Sequence, residues 1–144
     1  MPFLRWALIC ERTGNITAAA EATLHAAWAL DDVGGDAGKD AADLRRRAVA
    51  LFGAPDGAEG ALRLIDMLRR AGDYAAAGAR ADSLDDAALD ENSAAILAFQ
   101  RDRIAAADPA RHMISSALRP PARRPHVTHG RTQEPGFWGR LFGR

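Results

Sequence analysis

Apolar residues recur at helical spacing along the first 118 residues, and Gly and Asp residues divide this part of the chain into pieces of helix length. In one piece the apolar positions lie three and four residues apart, as in the stripe of an amphipathic helix: Ala41, Leu44, Ala48, Leu51 and Phe52. β-Branched residues are sparse and aromatic residues make up only 6% of the chain, so strands are disfavoured. The pattern predicts an all-α fold of about six to seven helices.

Glycine, acidic and amide residues mark where these helices are expected to begin and end. The predicted helices cover residues 2–13, 16–30, 41–52, 58–71, 74–84 and 90–107, and a short last helix covers 108–118. The second is apolar around most of its circumference, so we expect it to lie between neighbouring helices. The fourth is expected to bury one face: Ala61, Leu64, Ile65, Leu68 and Ala71. The acidic stretch DDVGGDAGKD between the second and third helices is predicted to be a loop.

A short motif occurs twice in the helical part of the chain. The segment RTGNITAAA aligns with RAGDYAAAG, which matches Gly14 with Gly72 and Asn15 with Asp73. In both copies the glycine permits a tight turn after one helix, and the Asn or Asp side chain can cap the next. The small alanines that follow allow the two helices to approach closely. The motif therefore predicts two helical hairpins built around the same turn.

The second copy resembles the tetratricopeptide repeat, whose Gly-Asp-Tyr turn and later small residue are matched by Gly72, Asp73, Tyr74 and Ala77. Over roughly residues 3–108 the order of elements is similar to that of an uncharacterised bacterial family containing such repeats. The copies lie 58 residues apart, against a period of about 34 in tetratricopeptide proteins, which leaves room for the helix at 41–52. The resemblance implies antiparallel helical hairpins that act as a scaffold and bind a peptide or another protein.

The first predicted helix is unusually apolar for the end of a repeat array. It contains Phe3, Leu4, Trp6, Leu8 and Ile9, and no polar capping element precedes it. Terminal units of helical repeats usually have a polar outer face. Either this helix packs inward against a later one, or a second copy or a partner covers it. We expect self-association or a partner at this edge.

The charge of the chain is unevenly distributed although its formal total is zero. Residues 119–144 contain six Arg and one acid, Glu134, and carry +5, which leaves −5 for residues 1–118. We interpret 1–118 as a helical domain, 119–135 as a disordered linker rich in Pro and Arg, and 136–144 as an aromatic docking segment. The basic segment has too few large apolar residues to offset the entropy of folding.

The last nine residues concentrate aromatic side chains. The apolar residues Phe137, Trp138, Leu141 and Phe142 would share one face if the segment became helical, and Arg140 lies among them. The interpretation we favour is a linear motif that docks in a hydrophobic groove of another protein. Alternatively, the segment folds back on the helical domain as a cover or an inhibitor, or it lies in an anionic membrane interface.

No residue pattern in the chain is typical of an active site or a metal centre. The four histidines His25, His112, His126 and His129 have no Cys or carboxylate partners at metal-ligand spacing. Cys10 is the one cysteine, so an internal disulfide is excluded, and its apolar neighbours predict a buried thiol. The glycines near Lys39 lack the spacing of a phosphate-binding loop. We expect no enzymatic activity, no cofactor and no bound metal.

The sequence also bears on the location of the protein in the cell and on whether it binds nucleic acid. The start of the chain has no secretory pattern and no apolar run is long enough for a membrane span, so we expect a cytoplasmic protein. The basic triplet Arg45, Arg46 and Arg47 lies beside Asp40 and Asp43, which makes nucleic acid an unfavoured partner. The sequence therefore predicts a non-enzymatic adaptor that mediates protein–protein interaction. The alternative is a peripheral protein at the inner face of the membrane, anchored by its basic aromatic tail.

Overall fold

The computed structural model describes residues 1–107. The regular secondary structure of this part of the chain is all helical. The six α-helices are α1 (Pro2–Arg12), α2 (Ile16–Val33), α3 (Ala37–Phe52), α4 (Gly57–Arg70), α5 (Tyr74–Asp82) and α6 (Glu91–Ala105). A short 3₁₀ turn (Asp86–Ala88) precedes α6. The all-α prediction is confirmed. The predicted helix at 108–118, the linker at 119–135 and the docking segment at 136–144 lie outside the described residues.

Helices that follow one another along the chain pack against each other. Helix α2 lies between α1 and α3, as its nearly all-round apolar surface predicts. Helices α4 and α5 form a second hairpin, and α6 packs against both of them. The first half of the described chain therefore forms one group of three helices and the second half another, and α3 and α4 also touch.

Helix α4 belongs to both hydrophobic cores. The first core joins α2, α3 and α4 through Ala20, Leu24, Trp28, Ala48, Met67 and Ala71. The second joins α4, the end of α5 and α6 through Leu62, Ile65, Ala81, Ile96 and Leu97. Helix α4 is thus buried on more than the single face that its spacing predicts, and even its last two residues, Arg69 and Arg70, are buried. The sequence-based expectation of one apolar stripe was too narrow, because two groups of helices cover α4 from different sides.

The prediction of a ten-residue loop between α2 and α3 was also wrong. Helix α2 continues to Val33 and α3 begins at Ala37, so the connection is only three residues long. Gly34 and Gly35 both have positive φ, which allows the sharp reversal. Asp31 is a helical residue that forms an ion pair with Arg45 of α3. Helix α2 therefore continues past the point where the run of acids suggested that it ended.

The first copy of the repeated motif forms a glycine-terminated turn. Gly14 has a φ of +76°, and its N–H donates to the carbonyl of Glu11. The N–H of Asn15 donates to the carbonyl of Cys10 at 2.9 Å, so that two carbonyls at the end of α1 are satisfied. The Asn15 side chain then accepts from the N–H of Ala18 at 3.2 Å and caps α2. One motif thus ends α1 and begins α2.

The second copy repeats this geometry at the junction of α4 and α5. Gly72 has a φ of +82°, and its N–H donates to the carbonyl of Arg69. The N–H of Asp73 donates to the carbonyl of Leu68, also at 2.9 Å, and the Asp73 carboxylate accepts from the N–H of Ala76 at 3.0 Å. In both copies the glycine ends one helix in the left-handed conformation, and the Asn or Asp side chain caps the next.

Replacing either turn glycine with Ala is expected to destabilise the protein. Gly14→Ala and Gly72→Ala should each lower the free energy of unfolding by about 1 kcal/mol, because a side chain disfavours the left-handed conformation. Urea denaturation followed by circular dichroism measures the change. Gly78→Ala in α5 is the matched control: its new Cβ would lie 3.6 Å from Ile104, an ordinary contact, so stability should stay level or rise. Equal midpoints for all three variants would contradict this account.

Candidate interaction surface

Helix α1 packs on α2 through its small residues. Pro2 occupies the first turn, where its missing N–H costs no helical hydrogen bond. Ala7 and Cys10, three residues apart, are each only 3% exposed, and Leu4 is half-buried one turn earlier. The predicted burial of Cys10 is confirmed. Because Ala7 and Cys10 are small, α1 approaches α2 closely, and Trp6, Leu8 and Ile9 are left outside this contact.

The opposite side of α1 exposes large apolar side chains to solvent. Trp6 is 56% exposed, Ile9 52% and Leu8 49%. We name this surface the α1 outer face, formed by Met1, Pro2, Trp6, Leu8 and Ile9. Met1, Pro2, Trp6 and Ile9, together with Arg5, line an open depression on it. An exposed apolar surface of this kind is typical of an interaction site.

The charged residues of α1 are distributed unevenly between its two sides. Arg5 and Arg12 are exposed. Glu11 lies toward the body and forms an ion pair of 2.8 Å with Arg47 of α3. Helical spacing places Arg5 within three or four positions of Met1 and Ile9, that is, in the middle of the α1 outer face. The exposed side of α1 is therefore apolar and basic.

A row of aromatic rings connects α1 to the interior. Phe3 stacks on His25 with 5.5 Å between ring centroids, and His25 contacts Trp28 edge-on at 4.9 Å. The pKa of His25 lies below its ordinary value, because burial disfavours the imidazolium and the positive charge of Arg70 adds to this, against the opposing effect of Glu21. His25 thus has a packing role at the α1–α2 contact.

Three polar residues that the sequence analysis did not identify are almost completely buried at the α4–α6 contact. Asp66 accepts from the side-chain amide of Gln100 at 2.9 Å and from the guanidinium of Arg69 at 3.2 Å. Nε of Arg69 donates to Oε1 of Gln100 at 3.0 Å, which closes a ring of three partners. Charge-assisted hydrogen bonds of this kind compensate for the desolvation of buried ions.

Arg70 extends this network to α2. Its guanidinium donates to both carboxylate oxygens of Glu21, at 2.9 and 2.6 Å, and to Asp66 at 3.4 Å. It also lies over the ring of Trp28, 5.3 Å from the centroid. Burial alone would lower the pKa of Arg70, but the hydrogen bonds and negative charges of Glu21 and Asp66 outweigh burial and raise it. Glu21, Asp66, Arg69, Arg70 and Gln100 form what we name the buried polar network. It connects α2, α4 and α6.

The sequence contains a local signal for part of the buried polar network. Asp66 precedes Arg69 and Arg70 by three and four residues, the spacing at which helical side chains pair. The spacing is equally common on solvated helix surfaces, and the distant partners Glu21 and Gln100 have no signature of their own. The basic triplet of α3 is likewise engaged with acids: Arg45 pairs with Asp31, Arg46 with Asp43 and Arg47 with Glu11.

The remaining candidate sites from the sequence analysis lie either in the C-terminal tail or within residues 1–107. The tail residues Phe137, Trp138, Arg140, Leu141 and Phe142 lie outside the described residues. Within residues 1–107, no group of three His, Cys, Asp or Glu side chains is arranged to hold a metal ion. No helix in that same range has both the length and the apolar composition needed to cross a bilayer. Comparison of the chain with protein-family models, curated proteins and solved structures found no match.

Proposed function

We propose that the protein is a non-enzymatic adaptor. Its helical domain docks on one partner through the α1 outer face, and its C-terminal aromatic segment, with Phe137, Trp138, Arg140, Leu141 and Phe142, binds another protein. The observation that carries the proposal is the exposure of Trp6, Leu8 and Ile9 on a helix whose small residues face inward. Exposed clusters of large apolar side chains usually mark surfaces that are buried in a complex.

The repeated turn supports a scaffold role. We propose that α1–α2 and α4–α5 are two divergent copies of one tetratricopeptide-like hairpin, because their turns have the same hydrogen bonds, the same left-handed glycine and the same capping position. In arrays of such hairpins each unit stacks on the next. The α1 outer face corresponds to the side of a terminal unit where stacking would continue. A docking surface at this position is therefore consistent with the architecture.

The adaptor proposal is tested by capture from a native extract of the source cells that is divided into soluble and membrane fractions. Three variants of the full chain are compared with the parent: Trp6→Glu with Ile9→Glu, the tail change of Phe137, Trp138 and Phe142 to Ala, and Val33→Glu. Val33 is an exposed apolar residue of α2 outside the α1 outer face and serves as the control. Circular dichroism confirms that each variant folds.

The expected result is that the α1 variant and the tail variant lose different partners, whereas the Val33 variant keeps both. Two exposed glutamates should abolish docking through the α1 outer face, because they would place charges within an apolar contact. The tail variant should lose a protein of the soluble fraction, since aromatic anchors supply most of the binding energy of short motifs. Unchanged capture by both variants would contradict the adaptor proposal.

A further inference from the structure

We propose that the α1 outer face docks on the surface of an anionic lipid membrane. The inference rests on the proposed function, in that it names the partner of one of the two docking elements. It follows from the position of the charges on α1 relative to its exposed apolar side chains.

The central observation is that a cation lies within the apolar surface. Arg5 is one helical turn from Met1 and Pro2 on one side and from Leu8 and Ile9 on the other. In a contact with another protein, a charge at the centre of an apolar surface is desolvated and costs free energy unless an acid meets it. At a bilayer surface the long Arg side chain extends to the lipid phosphates while its apolar neighbours enter the acyl boundary.

The types of residue on this face fit the same environment. Trp6 has an amphipathic ring, which favours the level of the lipid headgroups, and Leu8 and Ile9 supply further exposed apolar area. Arg12, at the end of α1, adds a second exposed cation one turn beyond Leu8 and Ile9. The one acid of the helix, Glu11, is paired with Arg47 and does not oppose an anionic surface.

Charge also argues against the two other occupants that the chain itself could provide. A second copy would bring its own Arg5 and Arg12 against those of the first in an isologous contact. The C-terminal segment would bring Arg140 and Arg144. Both contacts would place cations next to cations across an apolar surface, which is unfavourable. Anionic lipids supply the opposite charge.

The acidic residues of the described domain are concentrated elsewhere. One group surrounds the α2–α3 connection and includes Asp31, Asp36 and Asp40, and another surrounds the α5–α6 connection and includes Asp85 and Asp86. Asp31 of the first group is paired with Arg45, and Asp86 of the second with Arg101, which offsets part of their negative charge. The uneven charge should orient the domain with α1 toward the membrane.

The test is co-sedimentation of the full chain with two kinds of vesicle: phosphatidylcholine alone, and phosphatidylcholine with about one third phosphatidylserine. We expect at least tenfold stronger partitioning to the anionic vesicles, which falls as salt concentration rises. Arg5→Glu with Arg12→Glu should remove this preference, and Trp6→Glu with Ile9→Glu should reduce partitioning by about tenfold or more.

Two matched variants act as controls. Arg80→Glu changes an exposed cation of α5, and Val33→Glu changes an exposed apolar residue of α2; both should partition within about twofold of the parent chain. The tail variant, with Phe137, Trp138 and Phe142 changed to Ala, separates a contribution of the tail from that of α1. Partitioning that this variant abolishes and the α1 variants leave intact would overturn the inference.

The remaining outcomes distinguish failure of this inference from failure of the adaptor proposal. If vesicles do not bind, but Trp6→Glu with Ile9→Glu abolishes retention of a soluble protein or converts a dimer to a monomer in sedimentation equilibrium, the membrane inference is overturned and docking through α1 stands. If the α1 variant matches the parent in vesicle binding, protein retention and oligomeric state, both are overturned. Circular dichroism of each variant ensures that a loss of binding is not a loss of fold.

Discussion

Replacing Asp66 with Ala is expected to lower the free energy of unfolding by about 3–5 kcal/mol. The change removes the carboxylate that accepts from Arg69 and Gln100, both of which are almost completely buried. It also removes one of the two acids beside Arg70. A guanidinium that loses its buried anion keeps its desolvation cost without the compensating attraction. Urea denaturation, followed by circular dichroism, gives the change in free energy.

The control for this prediction is Asp43→Ala. Asp43 also pairs with an arginine three residues away, Arg46, but both side chains are exposed. Surface pairs of this type contribute about 0–1 kcal/mol, so the control should unfold close to the parent. A conservative change, Asp66→Asn, retains an acceptor but loses the charge, and we expect a loss between the two. Equal midpoints for Asp66→Ala and Asp43→Ala would contradict the structural role of the buried polar network.

The network explains how two groups of helices become one domain. The hydrophobic cores on either side of α4 share no residue, although α4 contributes to each. Polar contacts add a second set of connections at the end of α4. Arg70 pairs with Glu21 of α2 on one side, and Asp66 with Gln100 of α6 on the other. Removing Asp66 should therefore weaken both groups together, and a single unfolding transition is expected to persist.

The helical turns were predictable from sequence because their chemistry is local. A glycine that must adopt positive φ, followed by an Asn or Asp whose side chain reaches an N–H three residues later, forms a complete motif within a few residues. Gly14 with Asn15 and Gly72 with Asp73 could therefore be identified without knowledge of the rest of the fold. The amphipathic stripe of α3 was predictable for the same reason.

The buried polar network could not be predicted because its partners are distant in sequence. Gln100 is 31 residues from Arg69, and Glu21 is 49 residues from Arg70. Hydropathy patterns assign arginine to the surface, so they do not predict the burial of Arg69 and Arg70 at the end of α4. The extent of α2 was missed for a similar reason, since Asp31 pairs with Arg45 of the next helix, a partner 14 residues away.

The sequence also left the orientation of α1 undetermined. Most residues of this helix are apolar, and the usual expectation is that the largest face the core. The structure shows the opposite arrangement, with Ala7 and Cys10 inside and Trp6 and Ile9 outside. The reason is the close approach of α2, whose buried residues are mostly alanines; Ala7 and Cys10 fit this contact, and Phe3 meets α2 at the exposed ring of His25. Only the packing of α2 determines which side of α1 becomes the outer face.

Gly60→Ala is expected to destabilise the protein by about 1–3 kcal/mol, although Ala is the better helix former. Gly60 is buried in the first turn of α4, where a Cβ would lie 2.6 Å from the carbonyl oxygen of Pro55 and 2.7 Å from its carbonyl carbon. Both are backbone atoms, so relief requires the α3–α4 connection to move away from α4. The loss should be visible as a lower urea midpoint with an unchanged slope.

Gly38→Ala, the same chemical change at another helical position, is expected to stabilise the protein. Gly38 lies in the first turn of α3, and no heavy atom is within 4 Å of the position that its Cβ would occupy. Ala should therefore stabilise α3 by about 0.5–1 kcal/mol, because it loses less conformational entropy on folding than Gly. The difference between the two variants isolates the contact with Pro55 from helix propensity. If Gly60→Ala were as stable as Gly38→Ala, the α3–α4 connection would not be held against the start of α4, and the close contact with Pro55 would be wrong.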